Sequence, residues 1–165
     1  MNVAPDWIIA DTHFWHTKLW TQLNPGSRPS QSTNRIIWNW RHMVCPNDTV
    51  LHLGDVYLGV PHYEFASRFP HLPGRIYLIP GNHDHKSKRK QLAARGWQII
   101  EPFSVEYGGK RVMFSHKPEP HVPDGALNLH GHIHDRDSPS PRHINCCPEK
   151  VGYVPITLAE LLNGR

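Results

Sequence analysis

The feature that most restricts the fold of this chain is a pattern in which short apolar segments end in turns that carry Asp, Asn or His. The pattern occurs five times. Its polar segments are Asp11-Thr-His13, Gly54-Asp55, Gly81-Asn-His-Asp84, Ser115-His116 and Gly131-His-Ile-His134. Polar residues that follow strands lie where open α/β sheets bind their ligands. The pattern therefore predicts a ligand site at the strand ends.

Hydrophobic periodicity divides the chain into short elements. Strands are predicted over residues 7–10, 49–53, 75–79, 103–107, 110–114, 126–129 and 143–147. Helices are predicted over residues 32–44, 61–69 and 86–95, and a capping box at Thr157 opens a last helix. Strands alternate with helices early and dominate later, which predicts a mixed α/β layered fold. The length of 165 residues fits a single domain over residues 1–165.

Composition argues against several classes of protein. No apolar run approaches the roughly 20 residues of a membrane span, and residues 1–10 lack a secretory-signal pattern. The 3 cysteines, of which two are adjacent, provide no disulfide framework and no zinc-knuckle spacing. A cytoplasmic protein is therefore expected. Its net charge of +4 mildly favours anionic partners.

Histidine is unusually frequent, with 14 residues scattered from His13 to His143. Several of these imidazoles share the five polar segments with carboxylates and an amide oxygen. Neutral imidazole and hard oxygen ligands suit divalent first-row metal ions. The segments contain no cysteine, which argues against a structural zinc site of the finger type.

Taken in order, the five segments resemble the motifs of the calcineurin-like metallophosphoesterase superfamily. The resemblance spans Asp11 to His134, and the tail is similar to that of small bacterial and phage-type members. It implies a two-layer β-sandwich flanked by helices, with a dinuclear metal centre. The length leaves no room for a separate cap domain, so the substrate pocket is expected to be open.

The resemblance also implies a role for each matching residue. The first metal ion would be held by Asp11, His13 and His134. The second would be held by Asn82, His116 and His132. The carboxylate of Asp55 would bridge the two cations, which would otherwise repel each other. His83 would be the general acid, and Asp84 would fix its orientation and tautomer.

Such a site implies hydrolysis of phosphomono- or phosphodiesters by a hydroxide that bridges the two metal ions. Two cations about 3.5–4 Å apart neutralise the anionic oxygens of the ester and lower the pKa of a bound water. A histidine with a pKa near the working pH is suited to protonate the leaving alkoxide. Manganese is the expected metal, with Fe, Ni, Zn or Mg as alternatives, because His, Asp and Asn ligands do not distinguish among these ions.

The sequence departs from family patterns beside two of the motifs. After Gly54-Asp55 the sequence continues with Val-Tyr-Leu-Gly and not with the Asp-Arg-Gly of protein serine/threonine phosphatases. The phosphate-contacting arginine of that motif is therefore missing, which argues against such a phosphatase. Trp15 replaces the glycine that small members often carry, and its indole ring is expected either to line the substrate pocket or to cover it. Three residues are candidate substrate contacts, namely His16, Asn82 and His85. Alternatively, the two histidines are ordinary surface residues.

Substrate and activity keep alternatives open. The substrate is a phosphate ester, and a basic cluster downstream of His83 allows a nucleotide or a nucleic acid. The cluster consists of Lys86, Lys88, Arg89, Lys90 and Arg95. It favours a nuclease or cyclic-nucleotide phosphodiesterase, unless it is simply a solvated helix face. The alternative to an enzyme is a metal-binding interaction scaffold that has lost catalysis, and no membrane partner is expected.

The remaining histidines and cysteines receive no catalytic role. His52 alternates with Leu51 and Leu53, so it is expected to pack inside the fold. His143 is expected at the surface or on a helix face, and Cys147 is assigned no function.

Overall fold

The computed structural model describes residues 4–23 and 26–163, apart from the side chain of His62. The first sheet consists of four parallel strands in the order β1-β2-β3-β4. These strands are β1 (Trp7–Ile9), β2 (Thr49–His52), β3 (Arg75–Leu78) and β4 (Gln98–Ile99). Successive parallel strands need crossover connections, and helices form part of each connection between them.

The second sheet also has four strands, in the order β5-β6-β7-β8. They are β5 (Phe103–Tyr107), β6 (Lys110–Phe114), β7 (Ala126–His130) and β8 (His143–Asn145). The first two form the antiparallel hairpin that the glycine pair at 108–109 predicts, and the others add in parallel. The carboxyl ends of β6 and β7 therefore lie at the same edge of the sheet.

Five α-helices flank the two sheets in the described part of the chain. They are α1 (Ser32–Met43), α2 (Phe65–Arg68), α3 (Lys86–Ala93), α4 (Pro148–Val151) and α5 (Leu158–Asn163). None of the described helices has the length and apolar character needed to cross a bilayer. The predicted mixed α/β fold with two sheets and flanking helices is confirmed.

The first sheet has an apolar core on each of its faces. Side chains alternate across a strand, so Ile8 and Leu51 face the second sheet, where they pack with Phe114. Ile9 and Val50 belong to the other core, which the helices cover. Burial on both faces explains why these strands are almost continuously apolar in sequence.

The prediction that His143 lies at the surface is wrong. Its side chain is 6% exposed, and its two ring nitrogens lie 2.8 Å from the Ser140 hydroxyl and 2.9 Å from the Glu119 carbonyl. A buried imidazole needs a partner for each nitrogen, and the loops beside β8 provide both.

Candidate metal centre

The structure brings six of the predicted ligands together in two groups. Within each group one potential ligand atom per residue lies within 4.8 Å of the others. The first group is Asp11, His13 and His134, and the second is Asp55, His116 and His132. All six residues follow the carboxyl ends of strands, as the sequence pattern predicts.

The Asp55 carboxylate lies between the two groups. Its Oδ2 is 3.6 Å from Nε2 of His13 in the first group. The same oxygen is 3.6 Å from Nε2 of His116 in the second group. One oxygen at equal distances from both groups occupies the place expected of a bridging ligand.

The second group contains converging acceptors that fit a cation. His116 Nδ1 lies 2.7 Å from the carbonyl oxygen of Leu53, to which it can only donate. In the neutral ring this leaves Nε2 with a lone pair, and Nε2 lies 3.0 Å from Oδ1 of Asn82. Nε2, the amide oxygen and the Asp55 carboxylate are then three acceptors facing one another, an arrangement that a divalent metal ion satisfies.

The first group contains buried polar atoms without partners. Within the described residues, Oδ1 of Asp11, both ring nitrogens of His13 and Nδ1 of His134 have no hydrogen bond. Buried polar atoms are almost always paired, so unpaired ones call for a specific explanation. A bound cation would provide it for Oδ1 of Asp11 and for one ring nitrogen of His13, because these are donor atoms that such an ion takes.

Burial and neighbouring charges keep this group in the protonation state that metal binding requires. Burial lowers the pKa of His13 to about 4, against the opposing effect of Asp11. Burial alone would raise the pKa of Asp11, but its contact with His13 and the nearby His116 hold it well below the usual range. Neutral imidazole and ionised carboxylate are the ligand forms.

Burial instead raises the pKa of the Asp55 carboxyl, although His116 opposes the effect. The negative charges of Asp11 and Asp84 add to the rise. The ionised form of such a buried carboxylate is strongly stabilised when a cation binds next to it.

The ligand loops have unusual backbone conformations. Five of the predicted ligands have positive φ angles, between 42° and 69°. They are Asp11, His13, Asp55, His132 and His134. Each such residue costs on the order of 1–3 kcal/mol and persists where the surrounding structure imposes it, most often at functional sites.

Two glycines allow the loops to approach each other this closely. A Cβ atom on Gly131 would overlap Oδ2 of Asp11, and one on Gly81 would overlap Oδ1 of Asp55. Backbone hydrogen bonds join the loops as well, because Asp11 N donates to Gly54 O at 2.9 Å and His13 N donates to Asp55 O at 3.0 Å. Glycine is therefore needed at positions 81 and 131, because a larger residue would collide with the neighbouring ligand loop.

The predicted acid lies at the open side of the site. The His83 side chain is 42% exposed, and its Nε2 is 4.0 Å from Oδ2 of Asp55. Burial and the nearby Lys88 lower the pKa of His83 below its ordinary value, against the effect of Asp84. His83 therefore borders both the ligand groups and the solvent.

The carboxylate of Asp84 forms hydrogen bonds with backbone N–H groups. Its carboxylate accepts hydrogen bonds from the N–H groups of Asp55 (2.7 Å), Gly81 (2.9 Å) and Val56 (3.1 Å). It therefore fastens the loop after β2 to the loop after β3. Its predicted effect on the orientation of His83 stays a prediction.

The two histidines predicted to contact substrate lie in different surroundings. The His16 ring is 5.5 Å from the His13 ring, and its buried Nδ1 has no partner among the described residues. His85 is exposed at the N-terminal boundary of α3. Of the two, only His16 is shown in contact with a metal-ligand candidate.

Sequence reasoning missed three residues behind the first ligand group. Arg28 donates to the carbonyl oxygens of Asp11 and Thr12 at 2.9 and 2.7 Å. Glu149 Oε1 lies 3.6 Å from Nδ1 of His134. Cys147, to which the sequence assigns no role, places Sγ 3.4 Å from Oδ2 of Asp11. No spacing or motif in the sequence connects these residues to the ligands.

Comparison with known proteins agrees with this fold and identifies the family. The sequence model of the calcineurin-like phosphoesterases matches residues 6–150, which is most of the chain. The chain therefore belongs to the calcineurin-like phosphoesterase family. This is a family of metal-dependent enzymes that hydrolyse phosphoester bonds, and the resemblance stated from the motifs is confirmed.

Individual relatives are similar at moderate identity. The gene 66 protein of Mycobacterium phage L5 is 27% identical, and the match covers 78% of this chain and 76% of that protein. A protein of unknown function from Aquifex aeolicus, AQ665, has a crystal structure that aligns with a TM-score of 0.75 at 27% identity. That alignment covers 96% of this chain and 98% of the other. The nuclease MPE of Pseudomonas putida aligns with a TM-score of 0.43 at 21% identity, over 77% of this chain and 59% of that one.

Proposed function

We propose that this protein is a two-metal phosphoesterase that hydrolyses phosphomono- or phosphodiesters, with His83 as the general acid. The observation that carries the proposal is the position of Asp55. Its Oδ2 is 3.6 Å from a ring nitrogen of each of two separate ligand groups. A carboxylate placed in this way serves two cations, and a single metal site would not need the second group.

With Asp55 shared by both cations and Asn82 added to the second, the other ligand residues divide between the two cations as the two groups do. Asp11, His13 and His134 would hold the first ion, and His116, His132 and Asn82 would hold the second. When bound, the two ions would neutralise the oxygens of the ester and supply a hydroxide near neutral pH. Manganese is our preferred ion.

His83 is suited to deliver the proton that the leaving alkoxide needs. It is half-exposed beside Asp55 and is free to approach a substrate oxygen from the solvent side. Lys88 is half-buried nearby, where its Nζ donates to the Tyr57 carbonyl at 2.9 Å. Its charge favours the neutral form of His83 and thereby makes the imidazolium a stronger acid.

Phosphoesterase activity of the metal-loaded protein tests the proposal. The metal-free protein is loaded with Mn²⁺ and assayed on p-nitrophenyl phosphate and bis(p-nitrophenyl) phosphate. We expect hydrolysis of at least one ester, and loss of it in the Asp55→Asn variant. A folded protein that binds two Mn²⁺ ions per chain and hydrolyses neither ester would support the scaffold alternative instead.

The role of His83 is tested by the choice of leaving group. Removing a general acid lowers the rate by about 10²–10⁴-fold, and the loss grows as the leaving group becomes more basic. We expect His83→Ala to slow phenyl phosphate esters much more than p-nitrophenyl esters. His71→Ala is the matched control, because His71 is an exposed histidine outside both ligand groups. Equal losses on both esters would remove the acid role.

A nuclease or cyclic-nucleotide phosphodiesterase is a second candidate, favoured by one surface feature. A groove of about 630 Å³ beside the second ligand group is lined by Asn82, His116, Arg89 and Lys117, together with two glutamates. Nε of Arg89 is buried and has no hydrogen bond within the described residues. Two cations beside candidate metal ligands suit a substrate with a further phosphate.

The second candidate predicts a charge-dependent activity on nucleic acid. Hydrolysis of an oligonucleotide should fall with salt and in the Arg89→Gln/Lys117→Gln double variant. Turnover of bis(p-nitrophenyl) phosphate, which has no second phosphate, should fall much less. If the double variant turned over the oligonucleotide as fast as the wild type, the second candidate would be refuted and only the general phosphoesterase proposal would remain.

A further inference from the structure

A buried carboxylate and a buried guanidinium lie together behind the first ligand group. The side chains of Arg28 and Glu149 are 0% and 2% exposed, and Nη1 of Arg28 donates to Oε1 of Glu149 at 3.0 Å. Removing two charges from water costs several kcal/mol for each ion, and the attraction between them often fails to recover it. A buried pair of this kind therefore calls for a role other than stability alone.

The two members of the pair contact different ligand loops. Glu149 Oε1 lies 3.6 Å from Nδ1 of His134, in the loop that follows β7. Arg28 Nη2 donates to the carbonyl oxygens of Asp11 and Thr12, in the loop that follows β1. The pair thus joins the two loops that supply the first ligand group.

Polar atoms on both sides of the contact lack hydrogen bonds. Oε2 of Glu149 and Nδ1 of His134 are buried without a partner among the described residues, and so is Oδ1 of Asp11. An imidazole that binds a metal ion normally donates its other ring N–H to a carboxylate or carbonyl, which fixes the tautomer and makes the ligand more basic. Glu149 is the carboxylate placed to accept such a bond from His134.

We propose that Glu149 is a positioning residue for the first metal ion. Its carboxylate orients His134, and Arg28 holds both Glu149 and the backbone of Asp11. The inference rests on the proposed two-metal function, because it assigns Glu149 to one of the two ions. It is tested on metal affinity and not on hydrolysis, so the two proposals can fail separately.

The test measures Mn²⁺ binding to the full chain by equilibrium dialysis with metal analysis. The Glu149→Gln variant keeps the shape of the side chain and removes its charge. Glu106→Gln is the matched control, because Glu106 is an exposed carboxylate on β5. We expect Glu149→Gln to weaken one of two Mn²⁺ sites by about 10–100-fold, while the other site and the control keep wild-type affinity.

A double-mutant comparison identifies the weakened site. In a His134→Ala background the first site is already lost, so Glu149→Gln should add no further loss. In a His132→Ala background the first site is the one that remains, so the same change should weaken it by the full factor. The reverse pattern would assign Glu149 to the second metal ion and overturn the proposal.

A second variant separates positioning from simple damage to the fold. Glu149→Gln leaves Arg28 buried without its partner, which by itself destabilises a protein. The Arg28→Met/Glu149→Met variant removes both charges and is expected to fold, and we expect it to bind the first Mn²⁺ ion as weakly as Glu149→Gln does. Wild-type Mn²⁺ affinity in either variant would overturn the proposal. The predicted binding pattern in a protein that hydrolyses no ester would instead remove only the proposed function.

Discussion

Replacing Gly131 by alanine should displace one proposed metal ligand through steric overlap and not through an unfavourable φ angle. Gly131 does not have a positive φ angle, so alanine can adopt its conformation. The added Cβ would lie 2.8 Å from Cβ of Ala10 and would overlap Oδ2 of Asp11. An ordinary contact between carbon and oxygen is about 3.3–3.6 Å. The Asp11 carboxylate must therefore move by roughly 1 Å.

A displacement of this size is large for a metal ligand. Distances between metal ions and their ligands are reproducible to about 0.2 Å, and a misplacement of about 1 Å at a reacting centre can lower the rate about 10²-fold. The same shift would break the 2.7 Å hydrogen bond that His132 N donates to Oδ2 of Asp11. We therefore expect Gly131→Ala to lose the first Mn²⁺ site and at least about 10²-fold of the activity.

Calorimetric titration with Mn²⁺, together with assays of hydrolysis, measures both effects. Gly81→Ala is the informative comparison, because its Cβ would overlap the Asp55 carboxylate. Gly81→Ala should impair both sites directly, whereas Gly131→Ala should act mainly on the first. Gly96→Ala is the control, since its Cβ would meet open space at a φ of +87°. That change should lower only stability. Two intact Mn²⁺ sites in Gly131→Ala would refute the reasoning.

Three further outcomes are expected from the metal-free protein in urea-unfolding experiments. Burial raises the pKa of Asp55 from 3.8 to about 6, so the contribution of this carboxyl to stability is lost as the pH rises through that value. Asp55→Asn should therefore raise the unfolding free energy at pH 8 by on the order of 3 kcal/mol; an unchanged or lower stability would contradict this. Burial lowers the pKa of His52 to about 3, so this histidine alone should contribute about 1.4 kcal/mol per pH unit to the loss of stability below about pH 6.5. That slope should be shallower in His52→Asn, and equal slopes would exclude the assignment. Mn²⁺ at about 100 times its dissociation constant should add about 2.7 kcal/mol per site, and a chelator should reverse the gain.

The sequence was sufficient to predict which residues meet and at which end of the strands. The strand pattern and the order of the motifs place Asp11, Asp55 and His116 after β1, β2 and β6, as the structure does. This success has a simple physical origin. The carboxyl ends of neighbouring parallel strands lie at one edge of a sheet, so topology brings Asp11 close to Asp55 in the first sheet. His116 follows a strand of the second sheet, and the packing of the two sheets against each other is needed to bring it to the same site.

The sequence could not predict which residues lie behind the first ligand group, because only tertiary packing places them next to it. Arg28 and Glu149 are separated by 121 positions, and neither belongs to a motif. Their pairing depends on where α4 lies, and α4 is a single turn without hydrophobic periodicity. The positive φ angles of the ligand residues were equally hidden, because the loops impose them and the residue types do not require them.

His52 shows how a packed residue can serve the site indirectly. The Thr12 hydroxyl donates to Val56 O at 2.7 Å and lies 3.0 Å from Nε2 of His52, while Gly54 N donates to Nδ1 at 3.1 Å. These partners require one neutral tautomer, with the proton on Nε2. The expected packing role of His52 is consistent with its complete burial, and its hydrogen bonds in addition fasten the loops that carry Asp11 and Asp55.

The most direct test of the two-metal account is a titration of the metal-free protein with Mn²⁺ while the hydrolysis of bis(p-nitrophenyl) phosphate is recorded. The account predicts that activity rises until two equivalents of Mn²⁺ are bound per chain, and that Asp55→Asn shows no such rise. Full activity at one equivalent or without metal, or an Asp55→Asn variant as active as the wild type, would contradict it.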